Sequence, residues 1–261
     1  MDRSNIDKIA RTQEDRILLA KLWDKINAGI SRNIMANTGC LSPRELEMAR
    51  YLFGDAEGLR TFGGYEGAER KMLVYLPEYL EENVLYGEDS PVVCLRAEFY
   101  EGDSPTHRDF LGALMGLGIG RETVGDICNG NGSCDFLVTA QIAPFVLQEL
   151  TSAGRTKLRL QMVALQQICV PEGNIKLIRD TLASLRLDGV VSAGFRISRS
   201  LASQYISAGK VAVDGLPCEK PDKLLTEGAK ISLRGNGKIC LASVKGQTKK
   251  GRISVEIHRY M

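Results

Sequence analysis

The chain has 261 residues, 44% hydrophobic and 25% charged, with a formal net charge of +2, which is enough apolar material for real cores and enough length for two or three small domains. No run of eighteen apolar residues occurs, and the opening MDRSNIDKIARTQEDR is too charged for a signal-peptide core, so a soluble, cytoplasmic protein with no membrane partner is expected. Seven cysteines without a C-x-x-C pair, and only two histidines (His107 and His258), indicate neither a zinc cage nor a disulfide framework; reduced, mostly buried thiols and no metal or cofactor are expected.

The first third reads as helical. Ile6, Ile9, Ile17, Leu18, Leu22, Ile26 and Ile30 mark an amphipathic stripe with Trp23 beside it. Ser42-Pro43-Arg44-Glu45 then combines an N-cap hydroxyl, a proline at the first helical position and a capping-box glutamate, which predicts a second helix ending near Phe53-Gly54. FGGYEGAER (62–70) leads into an apolar KMLVYLP run; Gly63-Gly64 reads as a tight turn against the next domain more readily than as a phosphate cradle.

The middle third has the order β-α-β-β-α-β over residues 91–165: strand PVVCLRAEFY, helix RDFLGALMGLG, strands TVGDIC and CDFLVTA, helix APFVLQELTSA and strand KLRLQMVAL. This is the split ferredoxin-like arrangement, shared by several RNA-binding modules and by many unrelated domains. RNA-recognition modules of this shape stack bases on aromatics of the central strands. Phe99, Tyr100 and Phe136 are the candidates here, too few to establish such a platform. His107-Arg108-Asp109 has the letters of a kinase catalytic loop but lacks the accompanying glycine-rich loop and DFG. GLGIG (116–120) follows a helix rather than a strand and does not fit a dinucleotide cradle; it reads as a helix C-terminus.

A short linker near Pro171-Glu172-Gly173-Asn174, which suggests limited interdomain freedom, leads to the most informative stretch, RLDGVVSAGFRISRSLASQYISAGKVAVDG (186–215). Leu187, Val190 and Val191 form an apolar stripe, and Ala193-Gly194 is the expected helix break. Ser198 stands where an N-cap is wanted. Leu201, Ala202, Tyr205 and Ile206 follow at helical spacing up to Gly209, and Val211 and Val213 alternate into an Asp214-Gly215 turn. Further on, GQTKKGRISVEI puts a basic run before an alternating Ile253, Val255, Ile257 strand, suggesting a hairpin that carries cations toward a ligand.

Charge is lopsided. From residue 181 onward fourteen Lys and Arg face six Asp and Glu, a net +8, whereas residues 1–180 carry twenty against twenty-six, a net −6. A concentrated positive surface releases counterions from phosphates and drives association with nucleic acid.

Residues 181–258 closely resemble the S4 RNA-binding domain, and the resemblance implies that its two helices present basic and hydroxyl side chains to structured RNA. The matching positions are Arg186, Asp188, Arg196, Ser198, Arg199, Ser200, Gln204 and Lys210, with Lys249, Lys250 and Arg252 added from the tail; a carboxylate at Asp188 would repel phosphate, so an equally good reading has Arg186 and Asp188 pairing with nearby helix groups and merely holding the turn. RLDG also looks like the aspartate motif of pseudouridine synthases, but those enzymes carry the S4 domain ahead of a separate catalytic domain, whereas here the motif lies inside the S4 unit. Taken together, GGYEGAER, HRDFLGALMGLGIGRETVGDI and the S4 unit with TKKGR resemble the bacterial YlmH family.

The expected fold is therefore α+β: an N-terminal helical segment (1–75), a ferredoxin-like, RNA-recognition-like domain (76–170) and a C-terminal S4 domain of helix-turn-helix plus small sheet (171–261). The resemblance implies a non-enzymatic protein that binds rRNA and tRNA on the large ribosomal subunit carrying peptidyl-tRNA, in quality control of stalled nascent chains, alongside other quality-control factors. Arg196, Arg199, Lys210, Lys249, Lys250 and Arg252 would grip phosphates, and Ser198, Ser200 and Gln204 would set register. Two alternatives stand beside it: an RNA-modifying enzyme with Asp188 as nucleophile, and an adaptor that binds only protein through the acidic N-terminal two-thirds.

Overall fold

A computed structural model describes residues 3–170, 175–247 and 251–260 and divides the chain into two compact units, Met1–Pro171 and Glu172–Met261. The linker residues 171–174 lie outside the described residues.

The first unit opens with a single helical turn, α1 (Ile6–Ile9), and a long helix, α2 (Gln13–Arg32), so the apolar stripe is interrupted between residues 9 and 13. Thr12 and Asp15 close a capping box at the head of α2, and Leu19, Leu22 and Ile26 face inward while Ile17 stays exposed. After the two-residue strand β1 (Ala36–Asn37) comes α3 (Pro43–Phe53), capped by Ser42 and Glu45 as its sequence predicts. The segment is not purely helical, because β2 (Leu59–Phe62) and β3 (Met72–Tyr75) join β1 in an antiparallel sheet of order β1-β3-β2.

The ferredoxin-like order is present. It runs β4 (Val92–Glu98), α4 (His107–Gly116), β5 (Val124–Asn129), β6 (Ser133–Thr139), α5 (Ala143–Glu149), a small hairpin of β7 (Ser152–Ala153) and β8 (Thr156–Lys157), then β9 (Arg159–Val163). The hairpin takes the residues expected to finish α5 and begin the last strand. The antiparallel sheet has the order β5-β6-β4-β9. Alternation sorts its residues: Leu95, Ala97, Phe136 and Val138 bury against α4 and α5, while Val92, Cys94 and Leu137 form a second core with Cys40, Phe62, Met72 and Val74. That second core runs continuously across residues 75 and 76. Gly64, in the left-handed region at φ +84°, shows why the GGYEG turn needs glycine: a Cβ there would lie 2.8 Å from Leu137 Cδ2.

The second unit begins with β10 (Ile175–Leu182), followed by α6 (Leu187–Phe195), α7 (Arg199–Ser207), β11 (Val211–Val213), β12 (Leu216–Pro217), β13 (Lys230–Leu233), β14 (Gly237–Gln247) and β15 (Ile253–Tyr260). One antiparallel sheet contains all six strands in the order β10-β15-β14-β13-β11-β12. Asp214 (φ 51°) and Gly215 (φ 81°) make the two-residue turn that pairs Val213 with Leu216. Helix α6 does not break at Ala193-Gly194. It continues to Phe195 and stops at Arg196, which adopts the left-handed conformation at φ 56°, because Gly194 is used for close packing: a Cβ there would sit 2.5 Å from Ile239 Cδ1. Leu187, Val190, Val191, Ala202 and Ile206 of the helix pair cover Ile231, Ile239, Leu241 and Ile257 of the sheet.

Candidate nucleic-acid interface

Three of the residues singled out in the sequence form one cluster at the junction of the helix pair. Asp188, in the first turn of α6, is buried at 4% exposure. Arg186 donates from Nη2 to Asp188 Oδ2 at 3.0 Å and from Nε to Oδ1 at 3.3 Å, and Arg199, the first residue of α7, donates from Nη2 to Oδ1 at 2.9 Å. Burial alone would raise the Asp188 pKa; the hydrogen bonds from Arg186 and Arg199 override it and hold the carboxyl below the usual carboxylate range. The backbone anchors the same spot, with the amides of Leu187 and Asp188 donating to the carbonyls of Lys223 and Pro221. Asp188 is thus a buried brace whose two arginine partners keep their outer faces in solvent, with side chains 39% and 53% exposed.

The turn between the helices is fixed from inside. Ser192 Oγ donates to the carbonyl of Ile197 at 2.7 Å, and the Ile197 amide donates back to the Ser192 carbonyl. Arg196 at the corner and Arg199 just after it are exposed. Ser198 caps α7 by accepting from the Leu201 amide at 3.2 Å, and its hydroxyl lies 3.1 Å from that of Ser200. Ser200 and Gln204, four residues apart, are exposed on one stripe of α7. At its far end Lys210 Nζ stands 5.1 Å from the centre of the Tyr205 ring, a cation–π contact that keeps an exposed ammonium beside the helix terminus. The surface therefore offers Arg196, Arg199, Ser200, Gln204 and Lys210 in sequence along α7 and its flanks, with the Asp188 carboxylate turned inward.

The tail behaves differently. Strands β14 and β15 do form a hairpin, bulged between Leu241 and Ser243 and between Lys245 and Gln247. Lys249 and Lys250 lie outside the described residues. Arg252 donates to the Thr181 hydroxyl at 3.0 Å and to the Thr181 carbonyl, which ties the hairpin to the end of β10. Lys245 and Arg179 both reach Glu256, at 3.1 and 3.3 Å.

In the first unit, motifs that suggest chemistry turn out to hold the fold. Asp109 of His107-Arg108-Asp109 closes a capping box with Thr106 at the head of α4, and GLGIG is the end of that helix. The phenol of Tyr65 and the amides of Glu69 and Arg70, all from GGYEGAER, donate to Asp126 at 2.8, 2.7 and 2.9 Å. Asp126 belongs to GRETVGDI, so two separated motifs are two halves of one clasp. A second ion pair not evident in the sequence joins Arg96 to the buried Asp135 through two 2.7 Å hydrogen bonds. Phe136 and Phe99 pack with Phe110 beneath α4, and Tyr100, 78% exposed, lies beyond the end of β4. The face of the sheet on which an RNA-recognition module stacks bases is instead covered by Phe62, Met72 and Val74. Of the cysteines, Cys169 is exposed, Cys240 is half-buried and the other five are buried. Among the described residues no cluster of His, Cys, Asp and Glu could hold a metal, and no helix is long and apolar enough to cross a membrane.

Two family models match this chain: one described as "Putative RNA-binding domain in YlmH" over residues 103–167, and the S4 domain over residues 185–231. The chain is 34% identical over 226 residues to the ribosome-associated protein quality control protein P2 of Bacillus subtilis (strain 168), covering 86% of this chain and 87% of that protein. A solved structure titled cell division protein ylmH from Streptococcus pneumoniae superposes with a TM-score of 0.48 at 20% identity, covering 61% of this chain and 98% of that one. With a relative at that identity over most of both chains and both RNA-binding domains in order, the chain belongs to the YlmH family of S4-domain RNA-binding proteins.

Proposed function

We propose that this protein is a non-enzymatic RNA-binding factor that docks on structured rRNA and tRNA of the large ribosomal subunit holding peptidyl-tRNA and acts in quality control of stalled nascent chains. The observation that carries the reading is the exposed row of Arg196, Arg199, Ser200, Gln204 and Lys210 beside a carboxylate neutralised from within. Cations at the turn and at the far end of α7 bracket two hydrogen-bonding side chains, a layout suited to gripping a phosphate backbone at two points and setting register between them. The ribosomal setting is supported by the name of the Bacillus relative, a ribosome-associated quality control protein. Chemistry at Asp188 is disfavoured: a nucleophile needs an accessible oxygen, and both of its oxygens are occupied by guanidinium donors in a buried position.

Sucrose-gradient sedimentation of tagged protein from lysate, at low and high salt, tests the reading. The wild type is expected to travel with the large subunit in fractions that contain peptidyl-tRNA, and Arg196→Gln/Lys210→Gln is expected to shift toward the top of the gradient. These two residues are chosen because neither braces Asp188. Wild-type protein that stays at the top at both salts, or that remains with a protein partner after nuclease and high salt, would replace this reading with the adaptor alternative.

A further inference from the structure

The loop between β12 and β13, residues 218–229, is laid along the head of α6. The amides of Leu187 and Asp188 donate to the carbonyls of Lys223 and Pro221 at 2.8 and 2.9 Å, and the Leu225 amide donates to the Leu185 carbonyl at 2.9 Å. Arg186 and Leu224 thereby face one another across a short antiparallel bridge, a pairing that sets Cβ atoms about 4.5–5.5 Å apart. Leu225 joins the core, whereas Leu224 is 70% exposed. A leucine left in water forgoes the gain of burial, and this one cannot turn away, because the hydrogen bonds at Lys223 and Leu225 fix the main chain on both sides of it. Beside it lies the guanidinium cluster. Asp188 accepts from Nε and Nη2 of Arg186 and also from Arg199, so the ion pairs use the edge of the Arg186 guanidinium and hold its plane. What Arg186 has left for a ligand is Nη1 and the flat surface of that plane, on a half-exposed side chain. The loop does not lengthen the row of cations, since Lys220 and Lys223 are offset by Glu219 and Asp222. Asp222 also interacts electrostatically with Arg186, which disfavours a phosphate at this spot.

We infer that Leu224 and the Arg186 guanidinium form a platform for one unstacked base of the RNA that α7 grips by its backbone. The inference rests on the RNA-binding reading given above. An apolar side chain beside a guanidinium plane matches the face of a base, which is flat, apolar and polarisable; unpaired bases from loops and bulges are taken up on such surfaces. Neither group reads a base edge, so the platform accepts any base and adds affinity only where the bound RNA has an unpaired nucleotide. Its position suits the same ligand: Arg199, the first residue of α7 and a member of the exposed row, shares Asp188 with Arg186, so the platform continues that row.

The test is binding of the full chain to two fluorescein-labelled RNAs, a tRNA transcript whose loops carry unstacked bases and a fully paired blunt duplex, comparing the wild type with Leu224→Ala, Leu224→Trp and Arg196→Gln. Leu224 is exposed, and an unchanged thermal unfolding profile verifies each fold. Leu224→Ala is expected to weaken tRNA binding about three- to tenfold, to keep the wild-type slope of log K against log salt because no phosphate contact is lost, and to leave duplex binding unchanged. Leu224→Trp, with a larger stacking surface, is expected to bind the transcript at least as tightly as the wild type, and Arg196→Gln to weaken both RNAs and lower the slope. If Leu224→Ala binds the transcript like the wild type while Arg196→Gln does not, or if its duplex binding falls as far as its tRNA binding, no base rests on Leu224 and the helix-face reading survives. If RNA binding is kept but Leu224→Ala no longer travels with the large subunit, the leucine meets a protein and the base platform is overturned. If the wild type itself binds neither RNA, the RNA-binding reading fails and this inference fails with it.

Discussion

Replacing Asp188 with asparagine should loosen the second unit without removing a reactive group. The carboxylate accepts three hydrogen bonds from two guanidinium groups at 2.9–3.3 Å, in a site only 4% exposed. Asparagine keeps one acceptor oxygen and turns an NH2 toward a donor. Removing one partner of a fully buried pair costs about 3–5 kcal/mol. Here Arg186 and Arg199 remain 39% and 53% exposed and rehydrate, and the neutral amide is spared the desolvation that opposes the carboxylate, so about 2 kcal/mol is expected. For a unit of this size that lowers the unfolding midpoint by roughly 8–16 °C, measurable by circular dichroism. The pH dependence follows from the direction of the shift. A carboxyl held below its usual range contributes stability that is present above the unfolded pKa and is lost as pH falls through the folded one, so the gap between wild type and Asp188→Asn stays constant near neutrality and closes below about pH 4. At a temperature where both proteins are folded, tRNA affinity should change less than threefold. An unchanged midpoint would refute the brace, and a base modification found in RNA treated with the wild type but not with the variant would make Asp188 a nucleophile after all.

Two glycines of α6 should respond to alanine in opposite directions. Gly194→Ala places a methyl 2.5 Å from Ile239 Cδ1, in a core where overpacking costs about 1–3 kcal/mol against the roughly 1 kcal/mol that alanine gains in a helix, so a net loss is expected in denaturant titration. Gly189→Ala has its nearest neighbour at 3.8 Å and should gain about 0.5–1 kcal/mol. Thiol labelling of native protein at pH 8, read by mass spectrometry, should modify the exposed Cys169 first, because burial pushes Cys94 up to about 12 and Cys40 up to about 11, leaving both protonated as well as covered. Labelling of Cys94 at the rate of Cys169 would contradict the packing of the first unit's second core.

What was legible in the sequence is what local chemistry dictates. Ser42 with Pro43 and Glu45, Ser198 before α7 and Asp214-Gly215 between strands each act within four residues, and each appears in the structure where the sequence places it. The six ferredoxin-like elements were legible because apolar periodicity changes sharply between them. The short sheet of the N-terminal segment was not, since Ala36 and Asn37 pair with Tyr75 and Val74 and two to four residues carry no periodicity. Gly194 misled because a glycine inside a helix has the same letter whether it ends the helix or lets a sheet approach; the distinction depends on Ile239, far along the chain. Asp188 was ambiguous for the same reason. Its pairing with Arg186 is local, but Arg199 reaches it only once the turn has folded, and that second bond is what separates a brace from a ligand contact.

The closed sheet of the first unit shifts the weight of recognition. In a free-standing RNA-recognition module one sheet face covers the helices and the other stays open for bases. Here β4 and β6 are apolar on both faces, Leu95 and Phe136 toward the helices and Cys94 and Leu137 toward Phe62 and Met72, so an aromatic on the second face would be buried in a core rather than offered to a base. On the proposed reading, any contact of residues 103–167 with RNA would come from edges and helix ends, where Arg108, Arg155, Lys157 and Arg159 are exposed. Such contacts reach phosphates and carry little sequence information. In a unit whose sequence is net negative they would also be weak, since neighbouring carboxylates repel the backbone that those cations attract. The hydrogen-bonding side chains that can fix a register stand on α7, in the positively charged unit, and that is where substitutions should change which RNA is bound rather than only how tightly.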